Sequence, residues 1–331
     1  MWISDINKQL LGLLADGRFH SGTELAESLA ISRSAVWKHL QVLSEDLAIE
    51  LVAVSGKGYK LSRPLQLLSS QTISGLLEQS AAEWLRRIEI HDSLPSTNAY
   101  LLEAARRGEE GGWVCLAEYQ SAGKGRRGRS WISPFGHNIY VSILWRHQAG
   151  PGAIAGLSLA IGVAVVRALR QFGVEGVGLK WPNDIYWQGR KLGGILIEVS
   201  GESGGPCHSV VGLGLNLYLS NQQAQAIEQA WVDLQHIVGE RLTGRRNQLV
   251  ALLLNQMLPV IAEFETLGLS HYLPEWRSMD CMQGLETDVF IGEHCFHGTV
   301  NGIDDQGLLL LEEADGRIRP FASGEISFSA R

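Results

Sequence analysis

The sequence has no CxxC pair: its four cysteines, Cys115, Cys207, Cys281 and Cys295, lie far apart. That spacing suits free thiols in a reducing cytosol. The N-terminal MWISDINKQL has no basic region ahead of an uninterrupted apolar run, so no signal peptide is read there. The longest apolar segment, Ala153 to Phe172, meets Arg167 after about fourteen residues, short of the ~20 that a membrane span needs. Its small residues suit a helix pressed against a sheet, and a cytoplasmic protein with no membrane partner is expected. Neither a Ser-His-Asp arrangement nor an HExxH helix is legible, and there are no repeats or low-complexity tracts. A net charge of −7 excludes a non-specific polyanion binder, so any nucleic-acid contact must be local. Most informative is a local absence. No Asp or Glu occurs from Tyr119 to Val174, whereas Lys124, Arg126, Arg127, Arg129, Arg146, Arg167 and Arg170 do. An anion belongs near that window.

What is present divides the 331 residues into three textures, within the roughly 100–200 residues usual per domain. In the first, Ile6, Leu10, Leu13 and Leu14 fall at helical spacing. Gly17 ends that helix, Ser21 or Thr23 caps a second, and Ser32 caps a third running to about Ser44. On the third, Val36, Leu40 and Leu43 point inward. Ser32, Arg33, Ser34, Trp37, Lys38 and Gln41 are left outward, and LVAVSGKGYKL then predicts a hairpin tipped by Lys57. This order predicts a winged helix-turn-helix over 1–64, with those outward residues and Lys57 as its DNA contacts. A small helical packing module with a solvated face is the alternative. Its charges nearly cancel, so one copy should hold phosphates weakly, and a dimer on paired half-sites is expected.

From 65 to 270 the pattern is mixed α/β, with helices predicted over 81–87, 98–107, 153–172 and 245–266. Strands are predicted over 114–119, 139–145, 184–188, 194–199 and 210–217, mainly antiparallel. The last stretch, 271–331, alternates strand and turn and predicts an SH3-like barrel. The fold class is therefore α+β. Within the centre, GKGRRG (Gly123 to Gly128) satisfies G-x-G-x-x-G, but no acidic residue lies about twenty positions on, and the Walker order is absent. What remains is a Gly-rich loop whose N–H groups and Arg forks clamp an oxyanion. A solvated basic loop is the alternative. KWPNDIYWQGRKLGGILIE places Lys180, Asp184 and Lys191 beside the pair Gly193-Gly194, glycines in a strand that mark close approach to a ligand. A structural Lys180–Asp184 ion pair is the competing reading. VGLGLNL repeats the glycine signature, and SLPSTN precedes a helix, where capping is the default. Glu293 to His297 has metal-like residues, but His294 and His297 would face opposite sides of a strand, so no metal site is assigned.

Taken in order, Ser96-Thr97-Asn98, Gln120-Ser121-Ala122, the Gly/Arg loop, Lys180 to Asp184, Lys191 to Leu196 and Gly212 to Asn216 carry a resemblance. The chain resembles the bifunctional biotin protein ligases that double as biotin operon repressors, over essentially its whole length. The resemblance implies a winged helix-turn-helix, a biotin/lipoate-ligase-like catalytic domain and a C-terminal barrel. It implies joining biotin to ATP as biotinyl-5′-adenylate, with Mg²⁺ on the nucleotide, and transfer to one lysine of a biotin carboxyl carrier protein. The residues matching the family pattern are Lys191, Arg126 and Asp184 for catalysis, with Asp184 orienting the acceptor lysine or taking its proton. Ser96, Thr97, Asn98, Gln120, Gly123, Lys124, Gly194 and Gly212 match its biotin site, together with Arg126 and Lys191. Arg127, Arg129, Trp131, Asn183, Asn216 and Trp231, with Arg126, match its adenylate site. The intermediate then acts as corepressor: it orders the loop, builds a homodimer and fits the dimer to operator DNA. The family loop usually has Arg where this chain has Lys124, which loses the planar fork. A lipoate ligase, or a ligand-sensing transcription factor with an inactive ligase-like domain, are the alternatives.

Overall fold

Serines set the N-terminal helices. The computed structural model describes residues 4–47, 49–201 and 205–328. It opens with α1 (Asp5–Leu14), α2 (Gly22–Ser28) and α3 (Arg33–Asp46). Ser4, Ser21 and Ser32 accept from the N–H groups of Asn7, Glu24 and Ala35, and Ser21 with Glu24 forms a reciprocal capping box. Leu10, Leu11, Leu14, Leu25, Val36, Leu40 and Leu43 close a core between the helices. The outward face of α3 is as expected, with Trp37 half exposed at 50%. The wing is a hairpin of β1 (Leu51–Val54) and β2 (Gly58–Leu61), its turn closed by Lys57 N–H donating to the Val54 carbonyl at 3.0 Å.

This core does not stop at the linker. Leu65 and the distant Phe135 are buried in it, and Leu67 and Tyr119 pack against it. Lys8 on α1 pairs with Asp92 at 2.6 Å. Behind the linker, the buried Arg246 pairs with Glu118 and donates to the carbonyls of Asn138 and Gln66, while Glu118 accepts from Leu68 N–H.

Two short helices follow, α4 (Ser70–Gly75) and α5 (Gln79–Ala82). The helix predicted over 81–87 is present only as α5, which ends at Ala82, and the chain then enters β3 (Arg87–Leu94), a strand not anticipated. Arg87-Ile88-Glu89-Ile90 alternates with period two, as a strand should. Next come α6 (Thr97–Arg106), β4 (Trp113–Gln120) and β5 (Ile139–His147). The long apolar helix, α7 (Leu157–Phe172), starts later than predicted, because Gly156 turns left-handed (φ +82) after a 3₁₀ turn at Pro151–Ile154. The hairpins β6 (Val177–Lys180), β7 (Asp184–Trp187), β8 (Arg190–Gly201) and β9 (Cys207–Leu215) complete the sheet; β6 was not anticipated. After α8 (Asn221–Ala224) and α9 (Leu234–Val238), α10 (Arg246–Leu267) packs on α7. The stretch Pro151–Phe172, which ends in α7, and α10 are each long and apolar enough to cross a bilayer, yet most of α7 is buried in the main core.

The central sheet runs β3-β4-β5-β9-β8-β7-β6. Its pairs are antiparallel except β3–β4, which is parallel with α6 as its crossover. After α11 (Leu273–Ser278), strands β10 (Glu286–Ile291), β11 (His294–Ile303), β12 (Leu309–Glu312), β13 (Ile318–Phe321) and β14 (Glu325–Phe328) form an antiparallel sheet. Its order, β13-β12-β11-β10-β14, gives the all-β region expected at this end.

Candidate functional site

Two strand positions without side chains determine the site. Gly212 on β9 stands between Ser142 on β5 and Leu196 on β8. A Cβ on Gly212 would fall 2.2 Å from Asn98 Oδ1, so the bare strand makes room for the first turn of α6. One step on, Gly214 pairs with Gly194, and the ring of Trp131 lies across both. A Cβ on Gly214 would meet Trp131 Cε2 at 2.5 Å. Glycines predicted to admit a ligand therefore also admit two of the protein's own side chains.

Around this floor opens a pocket lined by two chemically different groups of side chains, which we call its two ends. One is neutral and hydrogen-bonding. Ser96 caps α6, Thr97 N–H donates to Gln120 Oε1 at 2.9 Å, and Gln120 Nε2 donates to Ser133 at 3.2 Å. The other end is cationic, with Lys124, Arg126, Arg127, Arg129, Lys180 and Lys191 all in its lining. The basic loop is folded over this end. Lys124 bridges to Ser130, Gly125 N–H donates to the Arg129 carbonyl at 2.7 Å, and Arg127 takes the left-handed region (φ +55). Arg126 Nη1 donates to Asn183 Oδ1 at 2.9 Å, and Asn183 Nδ2 returns to the Ile195 carbonyl at 2.6 Å. The loop is thereby clasped to the β7–β8 hairpin.

Lys191 is held from both sides of its backbone, its N–H donating to Ala230 and its carbonyl accepting from Val232, each at 2.9 Å. Its ammonium meets Asp184 Oδ1 at 2.9 Å and stands 5.6 Å from the Trp131 ring centroid. Asp184 thus pairs with Lys191, whereas Lys180 donates to the Tyr186 hydroxyl at 3.2 Å.

Of the predicted residues, Ser96, Thr97, Asn98, Gln120, Lys124, Arg126, Arg127, Arg129, Trp131, Asn183, Asp184, Lys191, Gly194 and Gly212 come together in this lining. Gly123, Asn216 and Trp231 do not. Gly123 sits under Trp131, where a Cβ would strike the Trp131 carbonyl at 2.6 Å. Asn216 holds the Val232 carbonyl at 3.3 Å, and Trp231 forms a backbone bridge with Lys191, so both support the lysine from behind. The cation-rich window also divides. Arg167 is engaged by Glu275 on α11, a carboxylate more than a hundred positions away that sequence proximity could not reveal. Sequence reasoning missed Ser142 and Glu198, which hold Asn98, and Gly324 and Ile326, which reach the pocket from the C-terminal sheet. All four arrive through long-range pairing.

The predicted DNA residues are gathered on one face. Ser32, Arg33, Ser34, Trp37, Lys38 and Gln41 are exposed along α3 and at its cap, and Lys57 lies at the wing tip. Among the described residues no group of three metal-ligating side chains forms, and His297 instead pairs with Asp288 at 2.9 Å.

Comparison with known proteins covers all three regions. Residues 90–216 match the biotin/lipoate A/B protein ligase family, residues 7–60 a helix-turn-helix domain, and residues 294–329 the biotin protein ligase C-terminal domain. The bifunctional ligase/repressor BirA of Escherichia coli is 43% identical over 320 residues, 96% of each chain. The protein of the same name from Bacillus subtilis is 31% identical over 98% of each. Among solved structures, the biotin protein ligase of Aquifex aeolicus in complex with biotin and ATP aligns at TM-score 0.61 and 25% identity, covering 73% of this chain and 98% of that one.

Proposed function

We infer the function from one premise: this chain belongs to the biotin protein ligase family, in the group that joins the ligase to an N-terminal helix-turn-helix domain. It is a biotin ligase that uses ATP, and it carries the repressor's DNA-binding domain. The observation that carries the site reading is the pocket's polarity. A neutral hydrogen-bonding end suits a cyclic urea, and the cationic end suits a carboxylate meeting a triphosphate.

In this reading Ser96, Thr97 and Gln120 hold the biotin head group, with its carboxylate toward Lys191. ATP enters with Mg²⁺ on its phosphates. The biotin carboxylate oxygen attacks the α-phosphorus, forming the acyl–phosphate bond as pyrophosphate leaves with the electrons of the broken P–O bond. Lys191 and Arg126 offset the charge that grows on the α-phosphate. Asp184, 2.9 Å from Lys191, positions that ammonium until the anions arrive. It is also placed to take a proton from the acceptor lysine of a biotin carboxyl carrier protein. Attack by that amine on the acyl carbon expels AMP.

We further propose that the adenylate, held under the Gly/Arg loop, completes a homodimer surface, and that the dimer sets two copies of α3 on operator half-sites. Domain limits near residues 64 and 270 follow from this division of labour, and the setting is cytoplasmic. The test is exchange of labelled pyrophosphate into ATP, dependent on biotin, with lipoate as control. Exchange with biotin is expected; no exchange with either acid would leave the alternative of an inactive sensor.

A further inference from the structure

Asn98 lines the pocket, yet both ends of its amide are already used. Nδ2 donates to Glu198 Oε2 at 2.8 Å and to the Leu196 carbonyl at 3.2 Å. Both partners are acceptors, so only the amino end of the amide can face them. Oδ1 is therefore turned to Ser142, whose Oγ lies 2.6 Å away. Ser142 is fully buried, and its Oγ also lies 2.7 Å from Thr97 Oγ1. A serine has one proton, and a carbonyl oxygen can only accept. The Ser142 proton must go to Asn98, which leaves the Thr97 hydroxyl to donate to Ser142. Gln120 Oε1 is 3.2 Å from that hydroxyl but is served by Thr97 N–H at 2.9 Å.

We propose that Glu198, Asn98 and Ser142 form a one-way hydrogen-bond chain that fixes Thr97 Oγ1 as an acceptor, and so set the site's specificity for a ligand bearing an N–H at that point. The inference rests on the reading of the neutral end as the biotin site and goes beyond it. It takes Asn98 away from direct ligand contact and makes it a positioning residue, with Ser142 and Glu198 behind it. A cyclic urea presents the required N–H. The dithiolane of lipoate presents none, so the same chain separates the two acids served by this broad family.

Two isosteric biotin analogues test it: the cyclic carbamates in which one or the other ureido N–H is replaced by oxygen. Whichever oxygen falls opposite Thr97 sets acceptor against acceptor. In pyrophosphate exchange by the full-length protein, the KM for one carbamate should exceed that for biotin by about a hundredfold, with the KM for ATP unchanged, a loss of about 2.7 kcal/mol. Ser142→Ala frees the Thr97 hydroxyl to rotate and donate, so that ratio should shrink about tenfold. Glu198→Leu should narrow it too, and Glu198→Gln, which keeps an acceptor, should restore it. A purely structural role would move both substrates' KM values and kcat together. Wild-type protein that accepts both carbamates as well as biotin would overturn the proposal while leaving the ligase reading intact. So would a folded Ser142→Ala or Glu198→Leu with the wild-type ratio. Absence of biotin-dependent exchange in the wild type would instead remove the ligase reading beneath it.

Discussion

Lys191 is the residue on which the most structure converges: two backbone hydrogen bonds, an ion pair with Asp184 and the face of Trp131. In the proposed reading its charge acts where negative charge develops, so Lys191→Ala should lower biotin-dependent exchange on the order of a hundredfold or more. The thermal unfolding midpoint should hold, since its ammonium lines the pocket and lies outside the apolar core. A different residue contributes to the response to acid. His137 packs against Tyr218, whose ring also lies under the guanidinium of Arg63 at 3.8 Å. Burial, followed by repulsion from Arg246 and Arg63, pushes its pKa down to about 4. The unfolded chain binds a proton near pH 6.5 that the folded one refuses. This contribution is therefore full above pH 6.5 and is lost as pH falls from there toward 4, an effect of about 3 kcal/mol at most. Urea unfolding of His137→Gln should show a flatter pH dependence than wild type across that window. These residue-scale features divide in legibility. Lys191 announced itself by standing before two glycines in a strand. His137 carried no such signal, because its environment is made by Arg63, Tyr218 and Arg246, spread over most of the chain.

At the scale of elements, the basic loop behaves as a clasp. Its internal turn and the Arg126–Asn183 bond fasten it to the β7–β8 hairpin. In the proposed reading, binding and release of the adenylate pass through that contact. Asn183→Ala removes a charge-assisted bond of about 1.5–3 kcal/mol. The preformed biotinyl-adenylate should then dissociate at least about tenfold faster, measured by chase of labelled intermediate. Lys124, bridging to Ser130 at the base of this loop, belongs to the same clasp. The loop's composition was readable, because glycines and cations without acids fit neither a helix nor a core. Its clasp was not, because Asn183 lies 57 residues away. The helix predicted over 81–87 shows the same limit in local form. It is present only as the short α5, ending at Ala82, and the strand β3 that follows, which was not anticipated, is fixed by its parallel pairing with β4.

On the scale of the whole molecule, the DNA-reading module and the ligase share a wall. On β4, Tyr119 packs against the helix-turn-helix core while its neighbour Gln120 turns into the pocket, as alternation along a strand requires. Phe135, four residues after Trp131, is buried in that same core. Deleting residues 1–64 should abolish the biotin- and ATP-dependent shift of operator DNA. It should also lower the thermal midpoint of the remaining ligase, because Phe135, Tyr119 and Leu67 would lose their cover. A truncated chain that melts like the full-length protein would show that this wall contributes nothing to stability. By itself, the sequence determined the three textures, the serine-capped helices of the reading head and, with the family resemblance, half of the residues that line the pocket. Those signals depend on neighbours within a turn or a strand, where spacing and backbone chemistry suffice. Only the tertiary structure decided which carboxylates answer which cations, why Gly212 and Gly214 are bare, and which way the protons run between Glu198 and Thr97. Each of those depends on side chains that meet across tens to hundreds of residues, and no local pattern records such a meeting.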